Sequence, residues 1–126
     1  MAKEKLKIFI SGSRTGYSFD KFLELAKWLK KQHHEVLVGD CVGVDTQIQA
    51  LCKAHKIPCK VYHIGKTPRN NLGFDTVRCV GTRYADKDVA MSIDCDLGIA
   101  IWNGRSKGTK ANIDRLIALH KQVIVR

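Results

Sequence analysis

No stretch of this sequence is apolar over the ~18 residues that a membrane helix needs. The segment MAKEKLKIFISGS starts basic, but its apolar run, Ile8-Phe9-Ile10, is too short for a secretory leader. The expectation is a cytoplasmic chain with no membrane partner. Proline is scarce, with two residues, and no linker, repeat or low-complexity tract interrupts the pattern. That absence reads as one domain over 1–126, a length that suits one hydrophobic core. The five cysteines include no C-x-x-C pair. Cys52, His55 and Cys59 fall on and just after one predicted helix, but a fourth ligand at zinc-motif spacing is missing. They are read as small core residues and a surface histidine, with no metal site, and the thiols as reduced. Acids are the minority: 12 Asp and Glu stand against 22 Lys and Arg, a formal net charge of +10. Such an excess attracts anions, among them nucleotides, phosphates and nucleic acid. The cations are scattered (Lys3, Lys5 and Lys7; Lys27, Lys30 and Lys31), as on a solvated face, so charge alone does not establish nucleic-acid binding. Neither G-x-x-x-x-G-K-[ST] nor G-x-G-x-x-G occurs, and no cofactor is assigned.

What the chain does have is a regular alternation of two periods. Short apolar runs at 6–11, 35–39, 59–64, 96–102 and 122–126 read as buried strands. Helical spacing predicts helices over 18–34 (Phe22, Leu25, Ala26, Leu29; N-cap Ser18), 43–58 (Val44, Ile48, Leu51, Cys52, His55; stop at Pro58), 85–93 and 109–121 (Ile113, Leu116, Ile117, His120). Residues 65–83 are loop-like, except that 74–80 reads either as a short helix or as an edge strand. Apolar strands alternating with amphipathic helices imply an α/β, Rossmann-like three-layer sandwich with a mainly parallel sheet. Its expected strand order is 3-2-1-4-5.

In such a sheet, ligands sit beyond the carboxyl ends of the strands. The first strand is followed by Ser11-Gly12-Ser13-Arg14-Thr15-Gly16, the second by Gly39-Asp40-Cys41-Val42-Gly43-Val44-Asp45. The fourth is followed by Asn103-Gly104-Arg105-Ser106-Lys107-Gly108-Thr109. Gly12, Gly43 and Gly108 would let backbone N–H groups approach a bound group. The helix after Gly108 would offer free N–H groups and a positive dipole end to an anion. Ser11, Ser13, Ser106 and Thr109 add hydroxyls, and Arg14 a bidentate cation. Asp40 is read as a carboxylate for ribose hydroxyls, and Asp45 as either a site residue or a first-turn acid. Asp86 and Asp88 read as helix-start acids, Asp94 and Asp96 as structural.

The segments ISGSR, VGDCVGVD, KD-AM---CD and IWNGRSKGT--NI together resemble the SLOG superfamily of Smf/DprA- and LOG-related proteins. They are most similar to its small stand-alone, YspA-like branch. The resemblance spans nearly the whole chain and implies a Rossmann-like domain that binds nucleotides or nucleotide-derived ligands. It carries three ligand loops onto this sequence: Ser11, Gly12, Ser13 and Arg14; Gly39, Asp40, Gly43 and Asp45; and Ser106, Gly108 and Thr109, to which Asn103, where the family has its P-G-G, is added as a site candidate. The third matches the G-T step of the LOG motif P-G-G-x-G-T-x-x-E. Asn112 stands where that motif has its catalytic Glu, and Asn cannot act as a carboxylate base.

The leading expectation is therefore a binding or sensing module for a nucleotide-derived ligand such as an ADP-ribose-like molecule. The alternatives are a phosphoribohydrolase-like enzyme acting on nucleoside monophosphates, with Asp40 the candidate catalytic carboxylate, and a DprA-like single-stranded nucleic-acid binder. For the latter, Trp28, Trp102 and Tyr84 are stacking candidates, although Trp28 fits helix packing better. A homodimer is a further candidate assembly.

Overall fold

The computed structural model describes residues 5–15 and 20–126. The elements run β1 (Lys7–Gly12), α1 (Asp20–Gln32), β2 (Glu35–Val38), α2 (Val44–His55), β3 (Cys59–His63), β4 (Asp75–Arg78), α3 (Ala85–Asp94), β5 (Leu97–Ile101), α4 (Lys107–Ala118) and β6 (Gln122–Val125). Ser18, the expected cap of α1, and Gly16 lie outside the described residues.

One sheet holds all six strands in the order β4-β3-β2-β1-β5-β6, and every pair is parallel. The expected order of five strands is present, with one more strand added beyond the third. That strand, β4, comes from the ambiguous 74–80 segment, and the edge-strand reading is the one realised. Its residues are mostly exposed, as are the ends of β6, whereas all five residues of β5 are buried. Central parallel strands covered on both faces need continuous apolar sequence; edges do not.

Period-two alternation sends neighbouring residues of β1 into different layers. Ile8 and Ile10 join Val36, Val38, Val61 and Ile99 under α1 and α2, which contribute Phe22, Ala26, Leu29, Val44, Ile48 and Cys52. Phe9, Leu37 and Tyr62 face the other way, against Met91, Cys95 and Leu116 from the side of α3 and α4. Cys52 and Cys59 both belong to the first layer, and no grouping of three or more His, Cys, Asp or Glu among the described residues is placed to hold a metal. No helix among those residues is long and apolar enough to cross a membrane.

The buried face of α4 differs from expectation. Thr109, Asn112, Ile113 and Leu116 are buried, while Ile117 is 58% exposed and His120 is exposed. The apolar spacing of Ile113, Leu116, Ile117 and His120 suggested a stripe further round the helix. The helix is turned instead so that its polar first turns, through Thr109 and Asn112, face the end of the sheet.

The chain steps from β1 through β2 and β3 to β4, then returns to the other side of β1 for β5 and β6. The direction of winding reverses between β1 and β5, so the loops after these two strands diverge there.

Candidate functional site

A cleft of about 240 Å3 opens at that reversal. Phe9 and Met91 contribute apolar lining. Ser11, Gly12 and Arg14 come from the end of β1, and Cys41 and Asp45 from the loop after β2 and the start of α2. Arg69 comes from the segment after β3; Tyr84, Lys87 and Asp88 from the start of α3; Ser106, Gly108, Thr109 and Asn112 from the start of α4.

The first turn of α4 is built by side-chain capping. Ser106 is its N-cap: Oγ accepts from the Thr109 N–H at 3.3 Å and lies 3.1 Å from Thr109 Oγ1. Asn103 Oδ1 accepts from the N–H groups of Arg105 (2.8 Å) and Ser106 (2.9 Å), which fixes the entry to the helix. The helix thus starts at Lys107, two residues before its expected start, and Gly108 lies inside the first turn. The N–H groups of Lys107 and Gly108 have no carbonyl one turn earlier in the helix, so they are the donors available to a ligand.

Five expected site residues hold the loops rather than line the cleft. Ser13 is buried; its N–H donates to Ile101 O at 3.0 Å, and its Oγ accepts from the Asn103 N–H at 3.0 Å. Asn103 Nδ2 donates to Thr15 O at 3.0 Å, so the loops after β1 and β5 are stitched together. Gly43 has φ +89°, and a Cβ there would sit 2.5 Å from Arg14 Cα. Its role is a close backbone crossing. A Cβ on Gly39 would lie 2.7 Å from Asp45 Oδ2 and 3.0 Å from Lys87 Cε, so Gly39 makes room for that pair. Gly12 does line the cleft, but its missing Cβ makes space for Val44 of α2. Gly108 is different: nothing lies within 4 Å of where its Cβ would be.

Asp40 is the fifth. Its side chain is 3% exposed and is engaged by Arg69: Nη2 donates to Oδ1 at 2.9 Å, Nε to Oδ1 at 3.3 Å, and the Arg69 N–H to Oδ2 at 2.8 Å. Burial alone would raise its carboxyl, but the bonds and charge of Arg69, with the charge of Lys87, outweigh burial and hold it below its ordinary value. A carboxylate so occupied is a positioning anchor and a poor proton acceptor.

Asp45 has the opposite character. It lines the cleft, and its Oδ2 accepts from the Cys41 N–H at 3.1 Å. Burial pushes its carboxyl up to about 7; Lys87 and the Cys41 N–H oppose this, while Asp88 and Asp40 add to it. Of the two acids in the second loop, Asp45 is the one poised to exchange a proton near neutrality.

Two cations of the cleft, Lys87 and Arg69, were not singled out as site residues in the sequence. Lys87 is buried, its Nζ 3.2 Å from Asp88 Oδ1 and donating to Tyr84 O at 3.3 Å. Arg69 lies with its guanidinium carbon 3.8 Å from the centroid of the Tyr84 ring. Its segment is fixed by Gln49, a fully buried residue whose Nε2 donates to Gly39 O and Asn70 O, each at 3.1 Å, and whose Oε1 accepts from the Leu72 N–H at 3.1 Å. The available signal was positional: the loop after the third strand opens on the same sheet edge as the other loops.

Arg14, Arg69 and Lys87, together with the α4 N-terminus, bring donors and positive charge to this cleft, where Arg69 is paired with Asp40 and Lys87 with Asp88. A second groove of about 240 Å3 lies against α1 and is lined by Leu25, Trp28, Ile99, Ile101 and Ile124, with Glu24 and Arg126 as its charged residues. It lacks a convergence of polar groups and is not the better site.

Among solved structures, the chain is similar to the molybdenum cofactor carrier protein of Chlamydomonas reinhardtii, at 17% identity and a TM-score of 0.77 over 97% of this chain and 76% of that one. It is similar to the molybdenum cofactor binding protein of the phototrophic bacterium Rippkaea orientalis, at 19% identity and a TM-score of 0.75 over the same shares. It is also similar to TM1055, at 20% identity and a TM-score of 0.74 over 95% of this chain and 72% of that one. No family model and no curated protein sequence matches the chain. At these identities the likeness shows a shared Rossmann-like fold.

Proposed function

We propose that this chain binds a phosphate-bearing, nucleotide-derived small molecule, such as an ADP-ribose-like compound, in the cleft between β1 and β5, and that it is a SLOG-type domain. The carrying observation is the start of α4, where capping by Ser106 and Asn103 leaves the first N–H groups of the helix free at a cleft that Arg14, Lys87 and Gly108 line. A phosphate there would meet a helix N-terminus, hydroxyls and cations together. Neighbours of the same fold named as carriers or binders of the molybdenum cofactor support the coarser part of this reading, a small molecule held by the domain. That cofactor belongs in any ligand panel.

The test is mass spectrometry of the ligand released on denaturing natively purified protein, with calorimetric titration of nucleotides, ADP-ribose, ribose 5-phosphate and the molybdenum cofactor. The expected result is micromolar or tighter binding of at least one phosphate compound. Absence of binding across the panel would falsify the reading.

Asp45 favours a second reading, hydrolysis of a nucleoside monophosphate between base and ribose. Asn112 supplies no charge, and its Oδ1 accepts from Arg115 Nη1 at 2.7 Å. With Asp40 held by Arg69, Asp45 is in this reading the candidate general base in place of Asp40. Free base released by the wild type and lost in Asp45→Asn would support catalysis; equal release by both would exclude Asp45 from it.

A further inference from the structure

Tyr84 is an exposed aromatic in an unusual setting. Its side chain is 56% exposed, yet its ring lines the anion cleft and carries a guanidinium 3.8 Å from its centroid. That guanidinium is immobilised. Asp40 holds Arg69 through Nε, Nη2 and the backbone N–H, and Asn70 Nδ2 donates to Asp40 O at 2.9 Å. Gln49 ties the same segment to the end of β2. Lys87 Nζ donates to the Tyr84 carbonyl, which fixes the backbone beneath the ring. Arg69 lies over the ring, and Tyr84 remains exposed beside it at the cleft. Nη1 of Arg69 makes no bond among the described residues and leaves one guanidinium edge for a polar atom.

Tyr84 belongs to neither apolar layer, and its hydroxyl carries no hydrogen bond among the described residues. A rigid aromatic side chain braced by a cation suits the stacking of a flat ring, because little freedom remains to be lost on binding.

We infer that the Tyr84–Arg69 pair is a stacking platform for a planar heteroaromatic ring. The ligand class would then be a molecule joining such a ring, a nucleobase or a pterin, to a phosphate that reaches the start of α4. This inference rests on the phosphate reading above and adds the ring to it.

The test measures affinity for adenosine 5′-monophosphate, a pterin monophosphate and ribose 5-phosphate in wild type, Tyr84→Leu, Tyr84→Phe and Tyr84→Trp. Stacking should make at least one aromatic phosphate bind about tenfold more tightly than ribose 5-phosphate. Tyr84→Leu should remove about that factor for the aromatic ligand and leave ribose 5-phosphate unchanged. Tyr84→Phe and Tyr84→Trp should restore it. Tyr84→Leu gives up only the contact with Arg69, so its melting temperature should fall by only a few degrees and loss of fold is separable from loss of stacking. The nucleotide and pterin arms show which ring is preferred. The inference alone is overturned if sugar phosphate binds as tightly as the aromatic phosphates, or if Tyr84→Leu weakens both kinds equally or neither. If wild type binds none of the three, this inference falls, and the phosphate reading falls with it only if the wider ligand panel fails as well.

Discussion

At the scale of single residues, the two acids of the second loop behave oppositely because of their partners. The Asp45 carboxyl sits at about 7 in the folded chain against an ordinary value of 3.8, with burial the main cause. The folded state therefore holds that proton more tightly than the unfolded state. Its stabilising contribution is complete below about pH 4 and is lost as pH rises through 7, with a ceiling of about 4 kcal/mol. Asp45→Asn cannot ionise. Its stability relative to wild type should become steadily more favourable from about pH 4 to pH 7 and level off above that, read from urea midpoints at each pH; a flat difference would exclude the shift. Asp40 is instead compensated by Arg69. Arg69→Ala leaves a carboxylate of 3% side-chain exposure without its cation, at an expected cost of about 3 kcal/mol. Arg69→Lys should recover only part of this, because an ammonium cannot reproduce the paired guanidinium contacts. Adding Asp40→Asn to Arg69→Ala should cost less than the sum of the two single changes, as a double-mutant cycle would report.

At the scale of elements, the expected site glycines divide between Gly12, Gly39 and Gly43, which serve packing, and Gly108, which faces open space. Gly43→Ala would force a Cβ against the backbone of Arg14 at φ +89°, and about 2 kcal/mol or more of stability should be lost. Gly108→Val meets no atom within 4 Å, so its stability should stay within about 1 kcal/mol of wild type. Phosphate affinity should nevertheless fall at least tenfold by titration, since the new side chain stands at the start of α4. Retained affinity would remove that turn from the site. The strands and helices were largely legible, because a parallel sheet writes continuous apolar runs and each covering helix writes a stripe. The face of α4 was not, since Asn112 is buried and Ile117 exposed by the way the helix end meets the cleft. The roles of Arg69 and Lys87 were hidden for a related reason. A polar residue in a loop, or in the first turn of a helix between two acids, looks solvated until the opposing elements are in place. Gln49, whose three bonds hold the segment from Gly39 to Leu72, gave no sequence signal at all.

At the scale of the whole molecule, the net charge of +10 would suit a nucleic-acid surface, but the arrangement of donors favours a compact ligand. The described donors converge on one cleft of about 240 Å3, bounded by Arg14, Arg69, Lys87 and the start of α4. Such a cleft has room for one or two phosphates, whereas a strand-tracking surface neutralises many. The two differ in salt dependence, because each phosphate neutralised on a single strand contributes roughly −0.7 to the slope of log affinity against log salt. A small phosphate ligand, or an oligonucleotide held only by its end, should therefore give a slope no steeper than about −1.5 between 50 and 500 mM salt. A twenty-nucleotide strand bound along the surface should exceed about −3. Measuring both ligands by fluorescence anisotropy under the same conditions separates the readings. A steep slope for the oligonucleotide, together with affinity that survives Gly108→Val, would move the functional surface out of the cleft and onto the scattered lysines. A shallow slope that is lost with Gly108→Val would confine it to the β1–β5 cleft.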